Sequence, residues 1–133
     1  MSLRVLALTA ALIAAAVAGT ALACSCIGYS NAATQLAEAR LMVIARAEWT
    51  KRERGTTDPG QKVTRFRVVR TIKGETRPAW QIAHHSDGAT CGVVFQPGKE
   101  YLVFADAWQG RMSTSLCQQA QFPLNEYEAA ARR

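Results

Sequence analysis

Four cysteines constrain the fold of this 133-residue chain more than any other feature: Cys24, Cys26, Cys91 and Cys117. They allow three pairings. A bond between Cys24 and Cys26 would close a very tight ring, and neighbours at i and i+2 on an extended segment are badly placed to bond each other. We therefore expect Cys24 and Cys26 to reach separately to Cys91 and Cys117, in either of the two remaining pairings. Each bridge would contribute about 4 kcal/mol in the loop-entropy model.

Residues 1–23 have the organisation of a secretory signal peptide. A positive charge at Arg4 precedes an Ala-rich apolar run over residues 5–17, and Ala21-Leu22-Ala23 follows. We expect cleavage between Ala23 and Cys24, and a secreted or periplasmic protein, because disulfides persist in oxidising compartments. A membrane anchor is one alternative, but the run is only weakly apolar. Acylation of Cys24 is another, although it would leave an odd number of cysteines.

The net charge of residues 24–133 indicates which kinds of partner the protein favours. Arg4 is the only charged residue of the leader, so the remaining segment carries a net side-chain charge of +5. This charge indicates a mild preference for anionic partners and does not predict nucleic-acid binding. We expect no membrane association unless Cys24 is lipidated.

Hydrophobic alternation and turn signals predict a mostly β domain. Residues 63–72 give the clearest strand, with Phe66 and Val68 on one face and Arg65 and Arg67 on the other. Further strands are predicted over residues 41–49, 80–83, 93–95, 101–105 and 112–117, with a charged loop or hairpin tip over 51–61. Helices are predicted over 32–41 and 125–133, capped by Asn31 and Asn125. Five or six short strands favour a small barrel or sandwich.

The segment His84-His85-Ser86-Asp87 contains the residue types of a hydrolase triad. Four adjacent residues do not ordinarily converge as nucleophile, base and orienter, so we predict that the chain is not an enzyme. Adjacent histidines on a strand also face opposite ways, which disfavours a shared metal. We expect a partly buried His84 and a solvated His85, and no metal or cofactor of the protein's own.

A second group of candidate residues is basic. It comprises Lys51, Arg52, Arg54, Arg65 and Arg67. Such a group could contact an anionic polymer, but charged hairpins more often keep a loop solvated and an edge strand from pairing. We favour the solvation role.

Several blocks of the chain together resemble one known family. They are Cys24-Ser25-Cys26, Val43-Ile44-Ala45-Arg46-Ala47, Val69 with Ile72-Lys73-Gly74, and the long block Cys91-Gly92-Val93, Lys99-Glu100-Tyr101-Leu102-Val103, Gly110-Arg111-Met112 and Leu116-Cys117. In order and spacing they resemble the inhibitory domain of the tissue inhibitors of metalloproteinases, and the block from Cys91 to Cys117 is the most specific. No cysteine lies between Cys26 and Cys91, so the family's third disulfide in this domain has no counterpart.

The resemblance implies a fold and a site. The fold is a netrin-like, five-stranded OB-type barrel with a short N-terminal helix and a C-terminal helix, over residues 24–125 with a helical tail at 126–133. The implied disulfides are Cys24–Cys91 and Cys26–Cys117. The α-amine and carbonyl of Cys24 would chelate the catalytic zinc of a target metalloprotease, and Ser25 would enter its substrate pocket.

The remaining contacts implied by the resemblance are Cys26, Ala89 and Thr90, on the same ridge. The implied partner is a zinc metalloprotease, bound by a monomer. The alternative is a non-inhibitory netrin-like binding module of the cell envelope or extracellular space, because a fold does not by itself define a function.

Overall fold

The computed structural model describes residues 24–133, so the predicted signal peptide lies outside the described residues. Two α-helices and five strands follow in the order α1 (Ala32–Glu38), β1 (Leu41–Arg52), β2 (Gln61–Lys73), β3 (Ala79–His85), β4 (Glu100–Trp108), β5 (Arg111–Ser113) and α2 (Leu124–Ala131). Two disulfides fasten the N-terminal segment to the rest of the domain. The predicted mostly β architecture with two helices is confirmed.

The five strands form one sheet that closes on itself. β1 pairs antiparallel with both β2 and β4, β2 pairs with β3, and β4 pairs with β5. A parallel contact between Ala83 and Ser113 joins β3 to β5 and completes the ring. The register of β1 against β2 shifts at three places. Such irregularities bend and twist a long strand, which lets β1 serve two partners.

The main hydrophobic core fills the inside of this closed sheet. Alternate residues of β1, among them Leu41, Val43 and Ala45, point inward and are almost completely buried. Phe66 of β2 lies opposite them, as the alternation in the sequence predicted, and Arg67 is exposed. This one-sided pattern fixes the register, because a slip of one residue would turn every core side chain towards water.

A second core lies between the two helices and the outer side of the sheet. Met42 of β1 and Phe104 of β4 pack there against Leu36 of α1 and Tyr127 of α2. The Tyr127 hydroxyl donates to the side-chain oxygen of Gln35 and accepts the Gln121 and Phe122 amides at 3.0 and 3.2 Å. The helix predicted as a tail is therefore packed against the sheet.

One predicted strand is wrong in the structure, and a second is only partly confirmed. Residues 93–95 form an irregular segment, because their backbone makes isolated bonds, such as Val93 N–H to the His85 carbonyl at 2.8 Å, instead of a ladder. Phe95 nevertheless reaches the core and is only 4% exposed. The strand predicted over 112–117 is confirmed only at Met112 and Ser113, which belong to β5. The chain then leaves the sheet and forms a 3-10 helix at Leu116–Gln118.

The helix ends differ from the prediction in one respect that matters. Asn31 caps α1, with its side-chain oxygen accepting the Thr34 amide at 2.9 Å, as predicted. Asn125 does not cap α2, because that helix begins at Leu124 after Pro123 and the asparagine lies within its first turn. Pro123 fixes the backbone just before the helix and occupies the cap position, two residues before the asparagine that the sequence predicts as the cap.

The disulfides indicate an oxidising extracellular or periplasmic environment, because they are reduced in most intracellular compartments. Within residues 24–133, none of the helices combines the length and apolar character that a membrane span needs.

Candidate functional site

The two disulfides hold Cys24 and Cys26 at one end of the closed sheet. Cys24 is bonded to Cys91 and Cys26 to Cys117, with Cα–Cα separations of 5.3 and 5.0 Å. This is the pairing that the family resemblance implies, and it decides between the two pairings that the cysteine spacing left open. The sulfurs form one cluster, with Cys24 Sγ only 3.6 Å from Cys117 Sγ.

The short segment between and after these cysteines is exposed yet anchored. Ser25 and Cys26 are exposed, and Ile27 is 85% exposed. The Gln121 side chain anchors the segment through two hydrogen bonds to its backbone. It accepts the Tyr29 amide at 2.8 Å and donates to the Ile27 carbonyl at 3.1 Å. Covalent bonds on one side and this pair of hydrogen bonds on the other restrict the conformations open to Ser25.

A tight turn ending at Cys91 forms the neighbouring part of the site. The Asp87 side chain accepts the Ala89 amide at 2.9 Å, and its carbonyl accepts the Thr90 hydroxyl and the Gly92 amide at 2.9 and 2.8 Å. Cys91 has a φ of 57°, in the left-handed region that side chains seldom adopt. An added Cβ at Gly92 would lie only 2.4 Å from the Asp87 carbonyl oxygen, so glycine is required there.

The structure brings together all of the site residues named from the sequence. Ala89 and Thr90 are exposed, and the Cys24–Cys91 bond places their turn beside Ser25. We call this surface the disulfide ridge, defined by the following residues: Cys24, Ser25, Cys26, Ala89, Thr90, Cys91 and Cys117.

Exposed apolar side chains near the ridge were missed by the sequence analysis. Ile27 and Leu116 are the chain neighbours of Cys26 and Cys117. Val94 lies three residues after Cys91 and is 67% exposed. Trp108 is 62% exposed and lines a groove of about 310 Å³ together with Thr90. No local pattern distinguishes these residues from core positions, because their exposure depends on the tertiary structure.

The four residues with triad chemistry do not converge. The buried His84 shares a hydrogen bond of 2.7 Å with Thr64, and burial lowers the pKa of its imidazole. His85 lies on the other side of the strand, 3.6 Å from Asp58, while Ser86 donates to the Gly60 carbonyl. Asp87 is used within the turn, so these four side chains take four separate partners.

Within residues 24–133, one group of side chains has its potential ligand atoms close enough together to hold a metal ion. Cys24, Cys26 and Cys117 place three sulfurs within 4.8 Å of one another. All three are disulfide-bonded, and a disulfide sulfur is not the thiolate that metals require.

Part of the basic group is neutralised locally. Glu48 binds both Arg65 and Arg67 at 2.7 Å, and hydrogen bonds from these two arginines lower the pKa of its carboxyl. The Lys51 ammonium lies 4.6 Å from the centre of the Trp49 ring.

Comparison with protein-family models and with curated proteins found no match to this chain.

Proposed function

We propose that this protein is a secreted metalloprotease inhibitor with a netrin-like fold, its closed five-stranded sheet being an OB-type barrel. The observation that carries the proposal is the disulfide ridge, where an exposed Cys24-Ser25-Cys26 segment is fixed at both cysteines beside the exposed turn at Ala89 and Thr90. A segment held in this way loses little conformational entropy when it enters a cleft, and such preorganisation favours tight binding.

Cleavage before Cys24 would give the ridge its chemistry. The freed α-amine and the Cys24 carbonyl oxygen would form a five-membered chelate with a metal, and catalytic zinc sites keep a coordination position open to water or substrate. Zinc binds the neutral amine, whose reference pKa is about 7.7–8.0. Inhibition should therefore weaken as pH falls below this range, by up to about tenfold per unit when no other group compensates.

The first experiment tests the α-amine. Two forms of the protein are compared, one beginning at Cys24 and one with a single Ala before it, against a panel of zinc proteases. The added residue turns the amine into an amide and pushes bulk towards the zinc, so inhibition should be lost. The melting curves should coincide, because both disulfides and every core residue are unchanged. Equal inhibition by the two forms would refute the chelation mechanism.

The second experiment tests Ser25. A Ser25→Glu variant should weaken inhibition without lowering the melting temperature, because the side chain is exposed in the free protein. Thr57→Glu is the matched control, since it adds the same charge to an exposed position in the loop between β1 and β2. If the two variants inhibit equally well, Ser25 does not enter the protease pocket. A partner bound equally by wild type and both Ser25 and amine variants would favour a non-inhibitory binding module.

A further inference from the structure

Two adjoining grooves lie on the surface of the protein, and none of the seven residues of the disulfide ridge lines either of them. The first, of about 620 Å³, lies around Trp80, and the second, of about 580 Å³, lies beside Trp49. Gln81, Arg111 and Met112 line both grooves, which therefore adjoin at these three side chains. We call this pair of adjoining grooves the basic trough.

The trough concentrates the positive charge of the protein. Its walls carry seven cationic side chains: Arg40, Lys51, Arg52, Arg54, Arg65, Arg77 and Arg111. Two carboxylates, Glu53 and Glu75, line it as well, so its net charge is +5. This equals the net side-chain charge of residues 24–133, so the remainder of that surface is balanced between the two signs.

Only part of this charge is neutralised by neighbours. Arg111 pairs with Glu53 at 2.7 Å and Arg77 with Glu75 at 2.8 Å. Arg65 is bound by Glu48 from outside the trough. The other four cations of the trough have no carboxylate of residues 24–133 within salt-bridge distance. They are Arg40, Lys51, Arg52 and Arg54. The Arg52 guanidinium donates to the Thr56 and Thr57 carbonyls at 3.2 and 3.0 Å, whereas Arg40, Lys51 and Arg54 have no side-chain hydrogen bond within residues 24–133 and are available to an anionic ligand.

Two of the cations are held over aromatic rings. The Arg77 guanidinium lies 4.3 Å from the centre of the Trp80 ring, and the Lys51 ammonium 4.6 Å from that of Trp49. Cation–π contacts of this kind restrict flexible side chains. The two charges therefore have defined positions, one in each groove, and a ligand that contacts both must extend along the trough.

We propose that the basic trough binds an anionic polysaccharide, with carboxylate or sulfate groups on the cations. A linear polymer with repeated charges suits an elongated depression with cations along its length, and arginine forks match these anions closely. Single-stranded nucleic acid fits less well, because it needs uncovered aromatic faces for base stacking, and here cations cover the rings. A membrane surface fits less well because strongly exposed apolar residues such as Ile27 and Trp108 line neither groove.

This site is separable from the proposed inhibitory function. Cys24, Ser25 and Cys26 line neither groove. Adding Ala before Cys24, or changing Ser25, should therefore leave polysaccharide binding unchanged, and failure of one proposal would not entail failure of the other.

The experiment measures binding of the disulfide-bonded protein to dextran sulfate and to polygalacturonate, with neutral dextran as the control polymer. The test variants are Arg40→Gln with Arg77→Gln in the first groove, and Lys51→Gln with Arg54→Gln in the second. Each pair should weaken binding about tenfold at low salt. Each should also reduce the dependence of log affinity on log salt, because fewer counterions are released.

The matched control is the double variant Arg132→Gln with Arg133→Gln, which removes the same charge from exposed residues just beyond α2. It should change affinity less than twofold. Equal losses in all three double variants would overturn the proposal, because net charge alone would then explain binding. Tighter binding to single-stranded DNA, or to vesicles containing an anionic lipid, would overturn the assignment to polysaccharide.

Discussion

Replacing Phe95 by Ala should destabilise the protein more than almost any other change in an irregular segment. Phe95 is 4% exposed and makes edge-on contacts with the rings of Phe66, His84 and Tyr101 at centroid distances of 4.9, 5.0 and 5.1 Å. Truncation of a buried phenylalanine costs about 3–5 kcal/mol. Since small domains unfold at a total cost of about 5–15 kcal/mol, the loss would be a large fraction of the stability.

The assay is urea unfolding followed by tryptophan fluorescence, with both disulfides intact. At a typical denaturant dependence of about 2 kcal/mol per molar, a loss of about 4 kcal/mol lowers the midpoint by about 2 M. Val94→Ala is the control, because the adjacent side chain is exposed and should cost under about 0.5 kcal/mol. Phe95→Leu, which should lie between the two, keeps the test open if the alanine variant does not fold. Similar losses for Phe95→Ala and Val94→Ala would refute a core position for Phe95.

Three further predictions follow from local geometry. Burial lowers the pKa of His84, so the unfolded chain takes up the proton first and the free energy of unfolding should fall as pH drops below about 6.5; His84→Gln should flatten this dependence, and an unchanged pH profile would contradict it. Asn31→Ala should cost about 1 kcal/mol in urea unfolding, because it removes a helix cap, whereas Asn125→Ala should cost little; equal costs would show that the caps are misassigned. Gly92→Ala should lower the melting temperature and weaken any inhibition, because its methyl group would strike the turn backbone; Gly88, with open space around it, is the control position, and equal effects at both would argue against the turn geometry.

Local patterns were enough to predict much of the sheet, one helix cap and the N-terminal cysteine segment of the candidate site. The alternation around Phe66 predicted which face of β2 is buried, because strand side chains alternate with a period of two and only one face meets the core. Asn31 was recognisable as a cap because its role depends on an amide three residues away. The Cys24-Ser25-Cys26 motif was informative for a similar reason, since two cysteines so close together are badly placed to bond each other.

Other features depended on contacts between residues distant in the chain. Residues 93–95 have the composition of a strand, yet the backbone there finds isolated partners, and only the position of Phe95 inside the closed sheet explains its burial. The choice between the two disulfide pairings likewise required the positions of Cys91 and Cys117 at the same end of the domain.

The basic trough shows the same division between sequence and structure. The sequence presented Lys51, Arg52, Arg54, Arg65 and Arg67 as one basic group, because they lie on two neighbouring strands and their hairpin. By itself the sequence determined the number of charges, the strand alternation and the cysteines available for bridging. In the tertiary structure Arg67 lines a different groove, and Arg40, Arg77 and Arg111 join the trough from three separate parts of the chain. Strand pairing sets these positions through backbone hydrogen bonds between distant segments. The sequence around each charged residue does not indicate which distant segment will lie beside it.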